Sequence, residues 1–86
     1  MKFKIKDLVL WFGKKAIIAG TKDQPADHSL NSPLPIGTFL LNQGVIPFEN
    51  KDMDYQIMFE NASGDYSGLP NGKLQECKES DLELSL

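Results

Sequence analysis

Alternating apolar and polar residues occupy both ends of the chain, which is typical of β-strands that bury one face. Near the start the alternation covers residues 3–11, and near the end it covers residues 74–84. Matched β segments at the two ends predict that the first and last strands pair. Such pairing would close a small barrel and remove exposed strand edges.

The first segment also contains a predicted hairpin. Residues 8–12 and 15–19 are short apolar runs, and Gly13-Lys14 between them is suited to a tight turn. A long loop is predicted next, because residues 21–36 are polar and contain three prolines that fix φ and remove hydrogen-bond donors. Two interpretations, a barrel strand and an added hairpin, fit residues 37–46.

The clearest strand signal is Tyr55–Glu60, in which alternate residues fall on opposite faces. Residues 61–72 are rich in Gly and Asn and are predicted to be an irregular connection. A strand over 74–78, a tight turn at 79–81 and a short final strand complete the chain. The alternation predicts this core: Val9, Ile17, Ile57, Phe59, Cys77 and Leu82.

A chain of 86 residues supports one modest core, so residues 1–86 are predicted to be a single domain. Its apolar runs are too short to cross a bilayer, and no signal-peptide pattern is visible, so no membrane partner is expected. Cys77 is the only cysteine, which fits a reducing compartment. These features favour a cytoplasmic protein.

The acidic net charge of −3 is unevenly distributed. Residues 1–43 carry six lysines and three acids, whereas residues 44–86 carry three lysines and nine acids. The chain has no arginine, the side chain that binds phosphates and guanine edges in bidentate fashion. The composition therefore argues against nucleic acid as the partner.

The layout resembles the SH3-like small barrels of Tudor and KOW-type modules. The opening pattern is Phe3, Ile5, Asp7 and Val9, and a late Glu79-x-Asp81-Leu82 turn precedes the closing strand. The resemblance implies an all-β, SH3-like, partly open barrel of five to six short antiparallel strands, with a long Pro-containing loop insertion.

One position departs from this family, in which Gly commonly precedes the Asp of the opening turn. Lys6 stands there in this chain. Because a lysine disfavours positive φ, the opening turn is expected to avoid it.

Function in such barrels depends on exposed aromatic residues and loops, so three residues are candidate partner contacts: Trp11, Phe48 and Tyr66. Trp11 shares the period of Val9 and is also explained by the core, and Phe48 could plug the end of the barrel. Tyr66 lies in a Gly-bounded stretch, where a core role is harder to explain. The loop over residues 21–36 is a further candidate for recognition.

No catalytic, cofactor-binding or metal-binding site is predicted. His28 beside Asp27 and Ser29 is interpreted as a solvated loop residue, because adjacent residues seldom form a working triad. The alternating oxygens that begin at Asn50 lack the Gly and Glu of a calcium loop and are interpreted as turn chemistry. Cys77 is interpreted as a small buried hydrophobe.

The leading function is therefore a non-catalytic interaction module that binds an unidentified protein or peptide through its loops. The alternative is a nucleic-acid-associated, KOW-like barrel that uses Trp11 and the lysines of the first hairpin. A steep salt dependence of nucleic-acid binding would distinguish the alternative from the leading function.

Overall fold

The structure, a computed structural model, describes residues 2–26, 45–69 and 73–85. These residues are all-β with antiparallel strands, as the sequence predicts, and their six strands form one open sheet. The strands are β1 (Leu8–Trp11), β2 (Lys14–Thr21), β3 (Tyr55–Glu60), β4 (Tyr66–Ser67), β5 (Gln75–Cys77) and β6 (Leu82–Leu84). The sheet order is β4-β3-β2-β1-β6, and β5 also pairs with β3. Residues 37–44, most of the segment with two open interpretations, lie outside the described residues.

The first and last strands pair, as the matched ends of the sequence predict. Trp11 lies opposite Leu82, and Val9 lies opposite Leu84. The Ser85 N–H extends this contact by donating to the Leu8 carbonyl at 3.0 Å. A 3-10 turn at Glu79–Asp81 leads directly into β6, which confirms the predicted turn before the final strand.

The first hairpin is confirmed, but its turn is one residue earlier than predicted. Trp11 pairs with Lys14, so Phe12 and Gly13 form the two-residue loop. Their φ angles are 48° and 83°. Two-residue hairpin loops favour positive φ at both positions, because that backbone matches the twist of the strands. The prediction of Gly13-Lys14 overlooked this requirement and placed the aromatic Phe12 in a strand.

Two apolar clusters lie on opposite faces of the sheet. The first contains Phe3, Val9, Ala16, Ile18, Tyr55, Ile57, Cys77 and Leu82. The second contains Ile17, Ala19, Ala26, Met58 and Leu74. Strand β3 is buried on both faces from Tyr55 to Met58, so alternation along it does not separate core from solvent.

Five of the six predicted core residues are buried. Phe59 is the exception, because it is half-buried and packs against the edge of the first cluster. Ile17 is buried as predicted but belongs to the second cluster.

A second correction concerns residues 61–72, which the sequence predicts to be irregular. Strand β4 lies within them and pairs with the end of β3.

The opening turn contradicts the expectation that Lys6 avoids positive φ. Its φ is 80°, and the turn is closed by the Asp7 N–H, which donates to the Lys4 carbonyl at 3.0 Å. The turn is also tied to β2, because the Lys6 N–H donates to the Ile18 carbonyl at 2.9 Å. Tertiary hydrogen bonds thus hold a lysine where glycine is favoured.

Lys6→Gly is therefore expected to stabilise the protein by about 0.5–1 kcal/mol. Relief of the left-handed backbone is worth roughly 1–2 kcal/mol, and the extra entropy of unfolded glycine offsets about 0.5–1 kcal/mol of it. Urea denaturation measures the difference. Lys4→Gly, at an exposed position without positive φ, is the matched control and should destabilise. A destabilised Lys6→Gly protein would contradict the prediction.

A buried amide ties together the two described ends of the long connection between β2 and β3. Gln56 is 1% exposed. Its Oε1 accepts from the Ala26 N–H at 2.7 Å, and its Nε2 donates to the Ile46 carbonyl at 2.8 Å. The Ile46 N–H donates in turn to the Ala26 carbonyl at 2.7 Å. We call Ala26, Ile46 and Gln56 the neck.

Gly20 is the residue of β2 that makes room for the neck. A Cβ atom at this position would collide with the Gln56 side-chain oxygen and with the backbone of Ala26. The register of β2 against β3 shifts between Ile18 and Gly20, which is typical of a β-bulge.

A second buried polar group, the Tyr55 hydroxyl, links the beginning of the described chain to the 3-10 turn through hydrogen bonds. The Tyr55 hydroxyl accepts from the Phe3 N–H at 3.0 Å and donates to Glu79 Oε1 at 2.8 Å. The Lys2 N–H donates to the same carboxylate oxygen at 2.7 Å. We call Lys2, Phe3, Tyr55 and Glu79 the clasp. Hydrogen bonds from Lys2 and Tyr55 lower the pKa of the Glu79 carboxyl below its usual value.

Candidate contact surface at the hairpin turn

Three aromatic rings meet where the first hairpin turns. Trp11 lies in edge-to-face contact with Phe12, at 4.7 Å between ring centroids, and with Phe59, at 5.5 Å. Trp11 and Phe59 are half-buried against the first cluster, whereas Phe12 is 72% exposed. We call these three residues the aromatic cluster. Its exposed part is an apolar surface at the end of the first hairpin.

Phe12 occupies a position that does not suit it. Asn, Asp or Gly is preferred at the first residue of such a two-residue loop, because they tolerate positive φ. A non-glycine residue held in this region costs on the order of 1–3 kcal/mol. Neither core packing nor turn chemistry explains an exposed phenylalanine here.

A groove runs beside Phe12, between the hairpin turn and the 3-10 turn. Its volume is about 210 Å³. The lining residues are Leu10, Phe12, Gly13, Ser80, Asp81 and Glu83. One wall is therefore apolar, and the other carries two carboxylates.

Hydrogen bonding fixes one of these carboxylates in place. Asp81 Oδ2 accepts from the Lys78 N–H at 3.1 Å and so caps the 3-10 turn. Within the described ranges, neither Asp81 nor Glu83 forms an ion pair with a lysine. The groove therefore has a negative wall without a partner cation from those ranges.

Trp11 is the only one of the three predicted contact residues that lies in the aromatic cluster. It also packs on the first cluster with Val9, so the core interpretation of its position and a contact role are compatible. Its ring contacts both Phe59 and Phe12 in edge-to-face geometry.

Tyr66 and Phe48 lie elsewhere. Tyr66 belongs to β4 and packs against the second cluster, on the face of the sheet opposite Trp11. Burial raises the pKa of its phenol. Phe48 is half-buried, and the next two backbone N–H groups donate to the Glu76 carboxylate at 2.7 and 2.9 Å. The structure thus does not bring the three predicted residues together.

Sequence reasoning missed Phe12, Asp81 and Glu83 as a common surface. A usable signal was present, because a large aromatic directly before Gly13 in a hairpin turn is unusual. The two acids follow one another at alternate positions late in the chain, and only the pairing of β6 with β1 brings them beside Phe12. The predicted recognition loop over residues 21–36 lies mostly outside the described residues and stays a prediction.

Two other candidates from the sequence have structural roles, the turn at Asn50 and the buried Cys77. Asn50 accepts the Asp52 N–H at 3.0 Å on its side chain, which confirms the interpretation as turn chemistry. Cys77 is buried as predicted, and burial raises the pKa of its thiol to about 12. His28 lies outside the described residues.

Among the residues that the structure describes, no group of three His, Cys, Asp or Glu side chains is placed to hold a metal ion. The same part of the chain contains no helix with the length and hydrophobicity needed to cross a membrane. Comparisons with family models, with curated proteins and with solved structures find no match to this chain.

Proposed function

We propose that this protein is a non-catalytic interaction module that binds a peptide segment of a protein partner through the aromatic cluster and the adjoining groove. The observation that carries the proposal is the exposed Phe12 ring, which stands on Trp11 in a backbone conformation unfavourable for phenylalanine. Strained residues of this kind concentrate at functional sites.

The geometry supports a peptide rather than a small molecule as the ligand. The groove, at about 210 Å³, is smaller than the roughly 300–1,000 Å³ typical of drug-sized ligand sites. Exposed aromatic rings at the edge of such a groove are the usual anchors of protein contacts. Cys77, a buried free thiol, is compatible with a cytoplasmic setting, which is part of the proposal.

The proposal extends to the SH3-like architecture. Pairing of β6 with β1, the consecutive neighbours β1, β2 and β3, and a 3-10 turn before the closing strand all support it. The positive φ at Lys6 adds support, because it is the conformation that glycine adopts at the corresponding position of the resembled family.

Phe12→Asn is expected to weaken peptide binding strongly while leaving the fold intact. In a selection from a random displayed peptide library, the native protein should enrich binders. Their affinity for Phe12→Asn should fall by about tenfold or more, as for a central interface residue. Asparagine tolerates positive φ better than alanine does. Phe12→Asn should therefore be at least as stable as Phe12→Ala, with a gain of up to about 1 kcal/mol.

Leu8→Asn is the matched control, because Leu8 is another exposed apolar residue of the same hairpin, outside the groove. It should retain binding. Failure of the native protein to enrich any peptide, or equal binding by Phe12→Asn, would refute the proposal. Tight binding to a generic oligonucleotide with a steep salt dependence would instead favour the nucleic-acid alternative, with Lys14 and Lys15 as exposed phosphate contacts.

A further inference from the structure

We infer that the groove beside Phe12 receives a lysine or arginine side chain of the partner peptide. The inference rests on the proposed function and specifies the chemistry of its ligand. Its basis is the combination in one groove of an exposed aromatic ring, an apolar floor and two carboxylates.

The shape of the groove suits one long side chain with a charged end. Leu10 and Phe12 supply the apolar wall, along which the methylene stem of lysine or arginine packs favourably. The exposed ring of Phe12 also presents a face to a cation. A purely apolar side chain would leave the carboxylate wall without a partner.

The charge of the opposite wall selects a cation. Asp81 and Glu83 both line the groove, and Asp81 is held in position by the Lys78 N–H. Carboxylates fixed in this way bind guanidinium or ammonium groups through charge-assisted hydrogen bonds.

Neither carboxylate of this wall forms an ion pair with a lysine in the described ranges. Lys15 and Glu83 both lie opposite Leu10, on different neighbouring strands. Neighbouring strands are spaced by roughly 4.8 Å, so two strand spacings, on the order of 10 Å, separate the backbones of Lys15 and Glu83. Both ion pairs of the described residues lie elsewhere, at Lys22–Asp54 and Lys73–Glu49.

The test uses three capped tripeptides, each with alanine on both sides of arginine, norleucine or glutamate. Titration into the full isotopically labelled protein should shift the backbone amide signals of Gly13, Ser80 and Glu83 with the arginine peptide. Norleucine, which has a long side chain without charge, should bind more weakly. Glutamate should produce no shift.

Glu83→Gln should weaken binding of the arginine peptide by about two- to fivefold, the range expected for an exposed ion pair. Glu83 is exposed, so the variant should fold normally. Glu60→Gln is the matched control, because Glu60 is also an exposed glutamate in a strand but does not line the groove. It should leave the affinity unchanged.

Three results would overturn the inference: equal binding of the norleucine and arginine peptides, an unchanged affinity in Glu83→Gln, and enriched library peptides that contain neither lysine nor arginine. The first two leave the proposed function to be judged by library enrichment and by Phe12→Asn. The third contradicts the basic ligand but still supports the interaction module.

Discussion

Gln56→Leu is expected to lower the free energy of unfolding by about 2–5 kcal/mol. Leucine is similar in size but cannot bond to the Ala26 N–H or the Ile46 carbonyl. The Ala26 N–H is buried and the Ile46 carbonyl is partly buried, and a buried backbone group left without a partner costs roughly 1–3 kcal/mol. A domain of this size has only about 5–15 kcal/mol in total, so the loss should be plain in urea denaturation.

Gln75→Leu is the matched control for this effect. Gln75 is half-buried in β5, and its side-chain amide donates only to the carbonyl of the next residue, at 2.8 Å. Its replacement should cost less than about 1 kcal/mol. An equally small loss in Gln56→Leu would show that the neck does not contribute to stability.

Tyr55→Phe is expected to cost about 1–3 kcal/mol, because the Phe3 N–H then loses its buried acceptor. The ring and its contact with Phe3, at 5.6 Å between centroids, are retained. Tyr66→Phe is the control. The Tyr66 hydroxyl has no hydrogen-bond partner within the described ranges, so its removal should change stability by less than about 0.5 kcal/mol.

The clasp and the neighbouring Asp54 also make the free energy of unfolding depend on pH. Hydrogen bonds from the Lys2 N–H and the Tyr55 hydroxyl hold the pKa of Glu79 below its usual value, and the hydrogen bond from the Glu79 N–H holds the pKa of Asp54 below its usual value. Carboxyls with lowered folded-state pKa values stabilise fully above the unfolded values and lose that contribution as pH falls. Stability should therefore decline below about pH 4.5, and less steeply in Tyr55→Phe. A flat profile from about pH 5 to 3 would contradict this.

The sheet was predictable where local pattern and pairing agree. Tyr55–Glu60 alternates clearly, and the structure gives β3 these same bounds. The pairing of β1 with β6 follows from alternation at both ends. In contrast, β4 has only two residues and owes its pairing to the end of β3, so its own sequence carries too little periodicity to predict it.

The key polar and surface residues were less predictable, because their roles depend on partners distant in sequence. Gln56 reads as a solvent-facing residue of β3, yet it is buried by the chain segments at Ala26 and Ile46. Lys6 takes positive φ because hydrogen bonds to β2 enforce it. The groove beside Phe12 exists only when β6 lies against β1.

The neck connects the two ends of the segment between Ala26 and Ile46, so the sheet does not depend on the sequence of that segment. Ala26 and Ile46 are joined by their own hydrogen bond and by Gln56, whatever the intervening residues are. Doubling the length of a flexible loop adds only about 0.6 kcal/mol to the entropy of closure. Changes of length or sequence between these two residues should therefore lower the stability of the sheet only slightly. The neck marks a position in this sheet at which evolution, or an engineer, can exchange one segment for another.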